Sequence, residues 1–309
     1  MAAAVRPGSS VGTVRRLRGG ISSGMHAVTL VGPGAERQSV VVRRYGTWRL
    51  EHDPQAAERE WATLQALAEV GAPTPRPIWL DAGGEMFGSP TVVISRMPGR
   101  GLLAPRDLDG WIRQLAEALV TIHATPLHAE ALGLLGDQRA EISKHLAPAE
   151  PPERIAKRPF GPELWSAMQH WWPRMEASEP ALVHGDYWPG NTLWHRGRLS
   201  GVIDWEQARR GDPTQDVACC RLDLTLLFGP ETADAFAAAY LAAGGRVVRH
   251  LFFWELVVAS FATDDVEEWV KGYHDLGGTE VQPGEARARL ERFAATALAM
   301  ADRYETSEG

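Results

Sequence analysis

HGDYWPGNTLW, at residues 184–194, and VIDWE, at residues 202–206, are the segments around which the rest of the chain is organised. A Pro-Gly pair in the first segment forces an irregular loop, and the apolar runs on either side of it are typical of short strands. A strand, loop and hairpin of this kind would hold Asp186, Asn191 and Asp204 on one rigid base.

These three side chains have the chemistry that phosphoryl transfer requires. Moving a γ-phosphoryl group to a hydroxyl needs a base that orients the hydroxyl, and oxygen ligands for Mg²⁺ that bridges the phosphates. Asp186 is the candidate base, whereas Asn191 and Asp204 offer oxygen atoms to a hard cation. His184 is expected to pack and hydrogen-bond beneath the loop rather than to transfer a proton. The alternative is a chance HxDxxxxN pattern in an ordinary turn, and the companion VIDWE argues against it.

With GDPTQDVA at residues 211–218, the two segments resemble the aminoglycoside phosphotransferase and choline kinase-like family, distant relatives of the eukaryotic protein kinases. The resemblance implies that Asp186 is the catalytic base and that Asn191 and Asp204 bind magnesium. It also implies that Asp216 braces the catalytic loop from the following helix. From the residues alone, stabilisation of that helix's N-terminus by Asp216 is equally open.

The resemblance further implies an α+β, two-lobed protein kinase-like fold. Residues 1–97 would form a small antiparallel β-sheet lobe with one helix, which binds the nucleotide and begins with a loose tail at residues 1–10. Residues 98–309 would form a larger, mainly helical lobe with the catalytic loop and the acceptor site.

The small lobe is expected to contain a nucleotide-binding turn, GGISSGM at residues 19–25. It can bring backbone N–H groups and the hydroxyls of Ser22 and Ser23 close to phosphate oxygens, because Gly20 imposes no Cβ. The resemblance places the family's nucleotide-positioning loop here. A Gly/Ser turn between two strands is, taken alone, more often simply a turn.

The strand SVVVRRYG carries two arginines that must face opposite sides, since side chains alternate along a strand. The resemblance implies that Arg43 grips the α- and β-phosphates and pairs with Glu60, on a helix expected over residues 54–70. The alternatives are that both arginines are exposed, that Arg44 is the inward one, and that Glu60 is a solvated helix charge.

The turn that closes the small lobe follows SPTVVIS, and the resemblance implies that its backbone holds the adenine. Ser95 and Met97 would then line the nucleotide cleft.

The large lobe is expected to be helical from about residue 107, with irregular links over residues 125–161 and one long helix over residues 247–274. An acidic segment, TDDVEEW, lies where the family binds its acceptor, and it could attract a polycation such as an aminoglycoside. The alternative is a solvated helix face. Its candidate acceptor-binding residues are Asp264, Asp265, Glu267 and Glu268.

Composition excludes several classes of protein. The chain has 309 residues, 44% hydrophobic and 23% charged, which is typical of a globular protein. A formal charge of −7 argues against a nucleic-acid-binding surface and is compatible with a cationic substrate. The two cysteines are adjacent, and the most apolar segment, at residues 251–262, is too short to cross a bilayer. We expect a cytoplasmic protein without membrane or nucleic-acid partners, and its oligomeric state is left open.

The function that the sequence favours is transfer of the γ-phosphoryl group of ATP or GTP, with Mg²⁺, to a hydroxyl of a small molecule. An aminoglycoside antibiotic is one candidate acceptor, and a choline-like alcohol, a sugar or homoserine are the alternatives. A protein Ser/Thr kinase is disfavoured because the chain has HGD rather than HRD, IDW rather than DFG, and lacks an APE-like segment after Asp204. A non-catalytic nucleotide-binding module is disfavoured because the base, both metal ligands and a basic residue at position 43 are all present.

Overall fold

The amino-terminal part of the chain is an antiparallel sheet with helices on both faces. The structure, a computed structural model, describes residues 2–17, 23–246, 248–262, 264–278 and 281–308. The strands of this sheet are β1 (Ser10–Arg16), β2 (Ser23–Val31), β3 (Arg37–Tyr45), β4 (Pro77–Asp81) and β5 (Thr91–Ser95). The helices are α1 (Ala2–Val5), α2 (Thr47–His52) and α3 (Ala56–Glu69). The described strands pair in the order β1-β2-β3-β5-β4.

Alternation along β3 decides which side chains face the cleft. Val40 and Val42 are buried on the outer face of the sheet, in a small cluster that includes Ala2 of α1. Val41 and Tyr45 are buried on the inner face, in the cluster that also contains the apolar side of α3. Arg43 belongs to the inner face by the same alternation, and it is only 4% exposed.

Two features of the small lobe differ from the sequence-based expectation. Residues 2–10 are not a loose tail, because Ala2–Val5 is helical and Arg6 forms an ion pair with Glu36 at 2.5 Å. The helix expected over residues 54–70 is preceded by a second, short helix, α2, which the sequence did not predict.

The remainder of the chain is mainly helical. Its helices are α4 (Leu108–His123), α5 (Ala129–Leu134), α6 (Gln138–His145), α7 (Glu153–Ala156), α8 (Gly161–Trp171), α9 (Thr214–Phe228), α10 (Pro230–Ala242), α11 (Leu251–Ala262), α12 (Val266–Asp275) and α13 (Pro283–Glu308). Its short strands are β6 (Gly136–Asp137), β7 (Ala181–Val183), β8 (Thr192–His195), β9 (Arg198–Val202) and β10 (Arg209–Gly211). Within the described part of the chain, none of the helices is long and apolar enough to cross a membrane.

The long helix expected over residues 247–274 is instead two helices, α11 and α12. The acidic Asp264 and Asp265 lie in the turn between them, and Val266 then begins α12 as a buried residue. Polar residues with poor helix propensity interrupt the apolar stripe at this point, so a turn replaces the continuous helix.

The two lobes meet at the β8–β9 hairpin, which carries the catalytic loop. The backbones of Arg100, just after the small lobe, and Trp194 of β8 exchange hydrogen bonds of 3.2 and 2.8 Å. The backbone N–H of Val202 in β9 donates to the carbonyl of Pro73 at 2.6 Å. The hairpin is therefore tied to the small lobe at Pro73 and to the segment that follows the small lobe at Arg100.

Candidate active site

The loop after β7 is fixed by one buried carboxylate. Asp216, on the first turn of α9, is fully buried and accepts hydrogen bonds from the backbone N–H groups of His184 at 2.7 Å and Gly185 at 2.8 Å. Gly185 has φ +82°, and a Cβ there would lie 2.5 Å from the carbonyl oxygen of Gln207. The loop therefore depends on a glycine at 185 and on the contact expected of Asp216.

His184 supports the loop in its neutral form. One ring nitrogen, Nε2, lies 3.0 Å from the carbonyl oxygen of Ile203 and must donate to it, while Nδ1 accepts from the backbone N–H of Asp186 at 3.3 Å. Burial lowers the pKa of His184. With Nε2 donating and Nδ1 accepting, the ring has no free nitrogen for proton transfer, as its expected packing role requires.

A second histidine, His123 of α4, reaches the same carboxylate and was not singled out from the sequence. Its Nε2 lies 3.1 Å from Asp216 Oδ2 and its Nδ1 lies 2.8 Å from the hydroxyl of Tyr240. The available signal was a histidine at the end of a helix whose other inward residues are apolar.

Asp186 and Asn191 are held together by the amide group of Asn191. Its Nδ2 donates to both the backbone oxygen and Oδ2 of Asp186, each at 2.9 Å. Burial, followed by the nearby charges of Asp204 and Asp223, raises the pKa of Asp186 to about 8, against the opposing hydrogen bond from Asn191. A positive charge brought to this site would favour the carboxylate.

The side-chain oxygens of Asn191 and Asp204, beside Asp186, suit a magnesium ion. The amide nitrogen of Asn191 donates to Asp186. The amide oxygen of Asn191 accepts no side-chain hydrogen bond among the described residues. Asp204 has φ +69°, a left-handed conformation that Asp tolerates better than most residues, and its side chain is 43% exposed. No cluster of three or more His, Cys, Asp or Glu in metal-binding geometry occurs in the described ranges. Two protein oxygens, with phosphate and water completing the shell, fit the preferences of Mg²⁺.

Arg43 joins the two lobes through its whole guanidinium group. Nη1 donates to Glu60 at 2.9 Å, and Nη2 donates to Asp204 at 2.7 Å and to Glu206 at 2.6 Å. Nε donates to the hydroxyl of Ser23 at 3.1 Å. Burial opposes the positive charge, but Glu60 and the other carboxylates raise the pKa of Arg43 above its ordinary value. The pairing of Arg43 with Glu60 has the geometry expected from the sequence, and Arg44 is the exposed arginine.

Tyr45 and Glu206 complete this network and were missed by sequence reasoning. The hydroxyl of Tyr45 donates to Glu60. A signal existed for each, since Tyr45 follows Arg43 by two residues on the same strand face and Glu206 follows Asp204 by two residues in VIDWE.

The remaining predicted nucleotide-site residues have different outcomes. Gly20 and Ser22 lie outside the described residues, so their part in the turn stays a prediction. Ser95 is paired with Arg76, whose backbone N–H donates to the Ser95 hydroxyl at 2.9 Å. Met97 is partly buried beside the β8–β9 hairpin, where a Cβ on Gly201 would meet its side chain at 3.2 Å.

The acidic segment is less available to a ligand than the sequence suggested. Glu267 forms a two-pronged pair with Arg287 at 2.7 and 2.6 Å, and this hydrogen bonding lowers the pKa of Glu267. Asp264 lies 3.3 Å from Arg158. Asp265 and Glu268 are exposed at the start of α12. Two of the four candidate carboxylates are thus already neutralised by arginines of this chain.

The sheet lobe, the helical lobe and the residues grouped between them define a phosphotransferase with a protein kinase-like fold. The sequence model of the phosphotransferase enzyme family, APH, matches residues 13–251. The chain belongs to this family, as the resemblance implied.

Solved structures share this fold at low sequence identity. Aminoglycoside phosphotransferase APH(4)-Ia superposes with a TM-score of 0.63 at 18% identity, covering 94% of each chain. A macrolide 2'-phosphotransferase type I superposes with a TM-score of 0.59 at 20% identity, also covering 94% of each chain.

Curated relatives match over part of their length. Mouse acyl-CoA dehydrogenase family member 10 is 28% identical over 195 residues, which is 60% of this chain and 18% of the mouse protein. Viomycin phosphotransferase of Streptomyces vinaceus is 31% identical over 176 residues, 50% of this chain and 58% of that protein. A homoserine kinase of Sinorhizobium fredii is 29% identical over 165 residues, 51% of this chain and 49% of the kinase. The match thus spans less than a fifth of the mouse protein.

Proposed function

We propose that the protein transfers the γ-phosphoryl group of ATP or GTP to a hydroxyl group of a small molecule. The observation that carries the proposal is the grouping of Asp186, Asn191 and Asp204 of the helical lobe with Arg43 of the sheet lobe. The direct 2.7 Å contact between Arg43 and Asp204 supports a single site shared by both lobes.

Each residue has a defined role in this proposal. Asp186 accepts a hydrogen bond from the acceptor hydroxyl, orients it and takes its proton as the phosphoryl group moves. Asn191 and Asp204 would hold Mg²⁺, which supplies charge compensation on the phosphate oxygens when bound. Arg43, fixed by Glu60, would contact the α- and β-phosphates as a planar, permanently charged donor.

The relatives support this class of reaction and leave several acceptors open. APH(4)-Ia has been crystallised with ADP and hygromycin B, which supports a nucleotide and a small hydroxylated substrate in the corresponding cleft. The viomycin phosphotransferase and the homoserine kinase support an antibiotic and a hydroxyl amino acid as acceptors. Both belong in an acceptor screen, together with choline-like alcohols and sugars.

The decisive test is a nucleotide-consumption screen with Mg²⁺, followed by the Asp186→Asn variant on the best acceptor. Asparagine keeps the size of the side chain and removes the base, so kcat should fall by about 10²-fold or more while nucleotide affinity changes little. The matched control is Asp234→Asn, an exposed carboxylate of α10, which should leave kcat unchanged. Near wild-type turnover by Asp186→Asn would remove Asp186 from the role of base.

A further inference from the structure

A cavity of about 150 Å³, here called the distal cavity, lies at the end of the β7–β10 strand pair that is remote from the catalytic loop. The catalytic loop follows Val183, which pairs with Arg209. Pro180 and Gly211, at the other end of the two strands, line the cavity. Among the described residues that line it, none belongs to the candidate active site. The distal cavity is therefore a separate feature of the large lobe.

The walls of the distal cavity suit a flat apolar group. They include Trp172, whose ring is stacked on Phe253 with centroids 5.5 Å apart. They also include Met175 and Trp254, which are 5% and 2% exposed. A cavity of this volume with apolar walls is about large enough for one benzene ring. The volume thus limits the apolar body of a ligand to roughly one ring.

One cation that lines the distal cavity has no counter-charge. Arg139, near the start of α6, lies over the ring of Trp172, with its guanidinium carbon 4.8 Å from the ring centroid. In the part of the chain that the structure describes, no carboxylate pairs with Arg139 and its guanidinium donates to no protein acceptor. A guanidinium offers a fork of N–H groups that matches the two oxygens of a carboxylate.

The other charged residues that line the distal cavity already have partners. Arg210 is paired with Asp137 at 2.6 Å, and Glu176 is paired with Arg249 at 3.0 Å. The carboxylate of Asp212 accepts a hydrogen bond of 2.8 Å from a backbone N–H at the start of α9, where the helix dipole favours a negative charge. The unpaired charge is therefore positive, and it favours an anionic ligand.

A second donor on the lining residues is also unused. The indole Nε1 of Trp254 is buried, and it has no hydrogen-bond partner within the described ranges. A buried donor without an acceptor is costly. Trp254 therefore favours a ligand that carries oxygen acceptors over one that is wholly apolar.

The distal cavity shares a wall with the segment that leads to Asp216. Gln138, which is 2% exposed, donates through Nε2 to the backbone oxygen of Asp212 at 3.2 Å. Its Oε1 accepts from the backbone N–H of Asp212 at 2.7 Å. Asp216 follows one helical turn later on α9, where it holds the catalytic loop. A ligand in the cavity would thus contact the base of α9 without entering the active site.

We infer that the distal cavity is a second binding site, for a small aromatic carboxylate whose ring occupies the cavity and whose carboxylate pairs with Arg139. A single guanidinium matches the single charge of a carboxylate, whereas a phosphate group carries up to two charges. The inference is independent of the proposed function, because none of its residues takes part in the proposed phosphoryl transfer.

The test is calorimetry on the whole protein at constant ionic strength, without nucleotide, with benzoate, benzamide and acetate as probes. Benzoate should bind with a Kd of about 1 mM or tighter. Benzamide lacks the charge and should bind about fivefold more weakly, and acetate lacks the ring and should bind about tenfold more weakly or worse. Arg139→Gln should reduce the ratio of benzoate to benzamide affinity to about one. The matched control is Arg174→Gln, an exposed arginine that does not line the cavity, and it should leave the ratio unchanged.

The indole N–H resonances of the protein locate the bound ring. The chain has 12 tryptophans, so the substitutions Trp172→Phe, Trp254→Phe and Trp188→Phe are needed to assign the three relevant signals. Benzoate should shift the signals of Trp172 and Trp254, and it should leave that of Trp188, in the catalytic loop, unchanged.

Several outcomes would overturn the inference. No benzoate binding at about 10 mM would show that the cavity does not hold this class of ligand. Equal affinity for benzoate and benzamide, or an equal loss in Arg139→Gln and Arg174→Gln, would remove Arg139 from the site. Shifts confined to Trp188 would place benzoate in the candidate active site instead of the distal cavity.

Discussion

The hydrogen bond between Tyr45 and Glu60 provides a quantitative test of the hydrogen-bond network around Arg43. Both side chains are at most 2% exposed, so neither group can exchange its partner for bulk water. Tyr45→Phe removes one donor and leaves a carboxylate oxygen unsatisfied, at a cost of about 1–3 kcal/mol. Glu60→Ala leaves the Tyr45 hydroxyl and Arg43 Nη1 without this partner, and breaking a buried ion pair costs about 3–5 kcal/mol. The double variant has no Tyr45 hydroxyl that could be left without a partner. Its loss of unfolding free energy should therefore be about 1–2 kcal/mol smaller than the sum of the two single losses.

Urea unfolding at constant m-value measures these losses. The control is Tyr187→Phe, which removes a buried hydroxyl that donates to the backbone oxygen of Leu115 in the large lobe at 2.8 Å. Combined with Glu60→Ala it should be additive to within about 0.5 kcal/mol, because the two sites share no partner. Additive losses for Tyr45→Phe and Glu60→Ala would refute the coupling, since they would mean that the two side chains do not act as one unit.

Three more substitutions test other parts of the structure. In the folded protein Asp223 keeps a proton up to about pH 7, whereas the unfolded chain releases it near pH 4, so stability is lost as pH rises between these values. The difference in unfolding free energy between Asp223→Asn and wild type should therefore increase by about 2–3 kcal/mol in favour of the variant from about pH 5 to about pH 8. A difference in urea midpoints that does not change with pH would contradict this. Gly185→Ala should lower the thermal midpoint and kcat together, since a Cβ meets the Gln207 carbonyl at 2.5 Å; unchanged kinetics would show that the loop adapts. Arg43→Lys should lower the unfolding free energy by about 1–3 kcal/mol, because one ammonium group cannot replace the fork that serves both lobes, and a wild-type urea midpoint would argue against it.

Local patterns in the sequence predicted the parts of the site that lie within one element. The period of two along β3 predicted that Arg43 and Arg44 face opposite sides, and the family resemblance implied that Arg43 is the inward one. The spacing in HGDYWPGN grouped Asp186 with Asn191. The family resemblance implied the two-lobed fold and the contact of Asp216 with the catalytic loop. These expectations depend on neighbours in sequence or on a motif.

Contacts made between distant elements could not be predicted in the same way. The meeting of Arg43 with Glu206 depends on how the lobes approach each other, and no periodicity in either segment encodes that approach. The hydrogen bond from Tyr273 of α12 to Asp223 of α9 is likewise visible only once the two helices are packed together. The pairing of Glu267 with Arg287 follows from the packing of α12 against α13, which the charge pattern of the acidic segment alone does not reveal.

The choice of arginine at position 43 has a practical consequence for detecting this protein. The sequence has three lysines, Lys144, Lys157 and Lys271, and all three are exposed on the large lobe. A reagent that acylates amines needs a neutral nitrogen as the nucleophile, and a guanidinium whose pKa is raised above its ordinary value does not supply one. If Arg43 contacts the nucleotide phosphates as proposed, a survey that detects nucleotide-binding enzymes through acylation of a lysine beside the phosphates would not detect this protein.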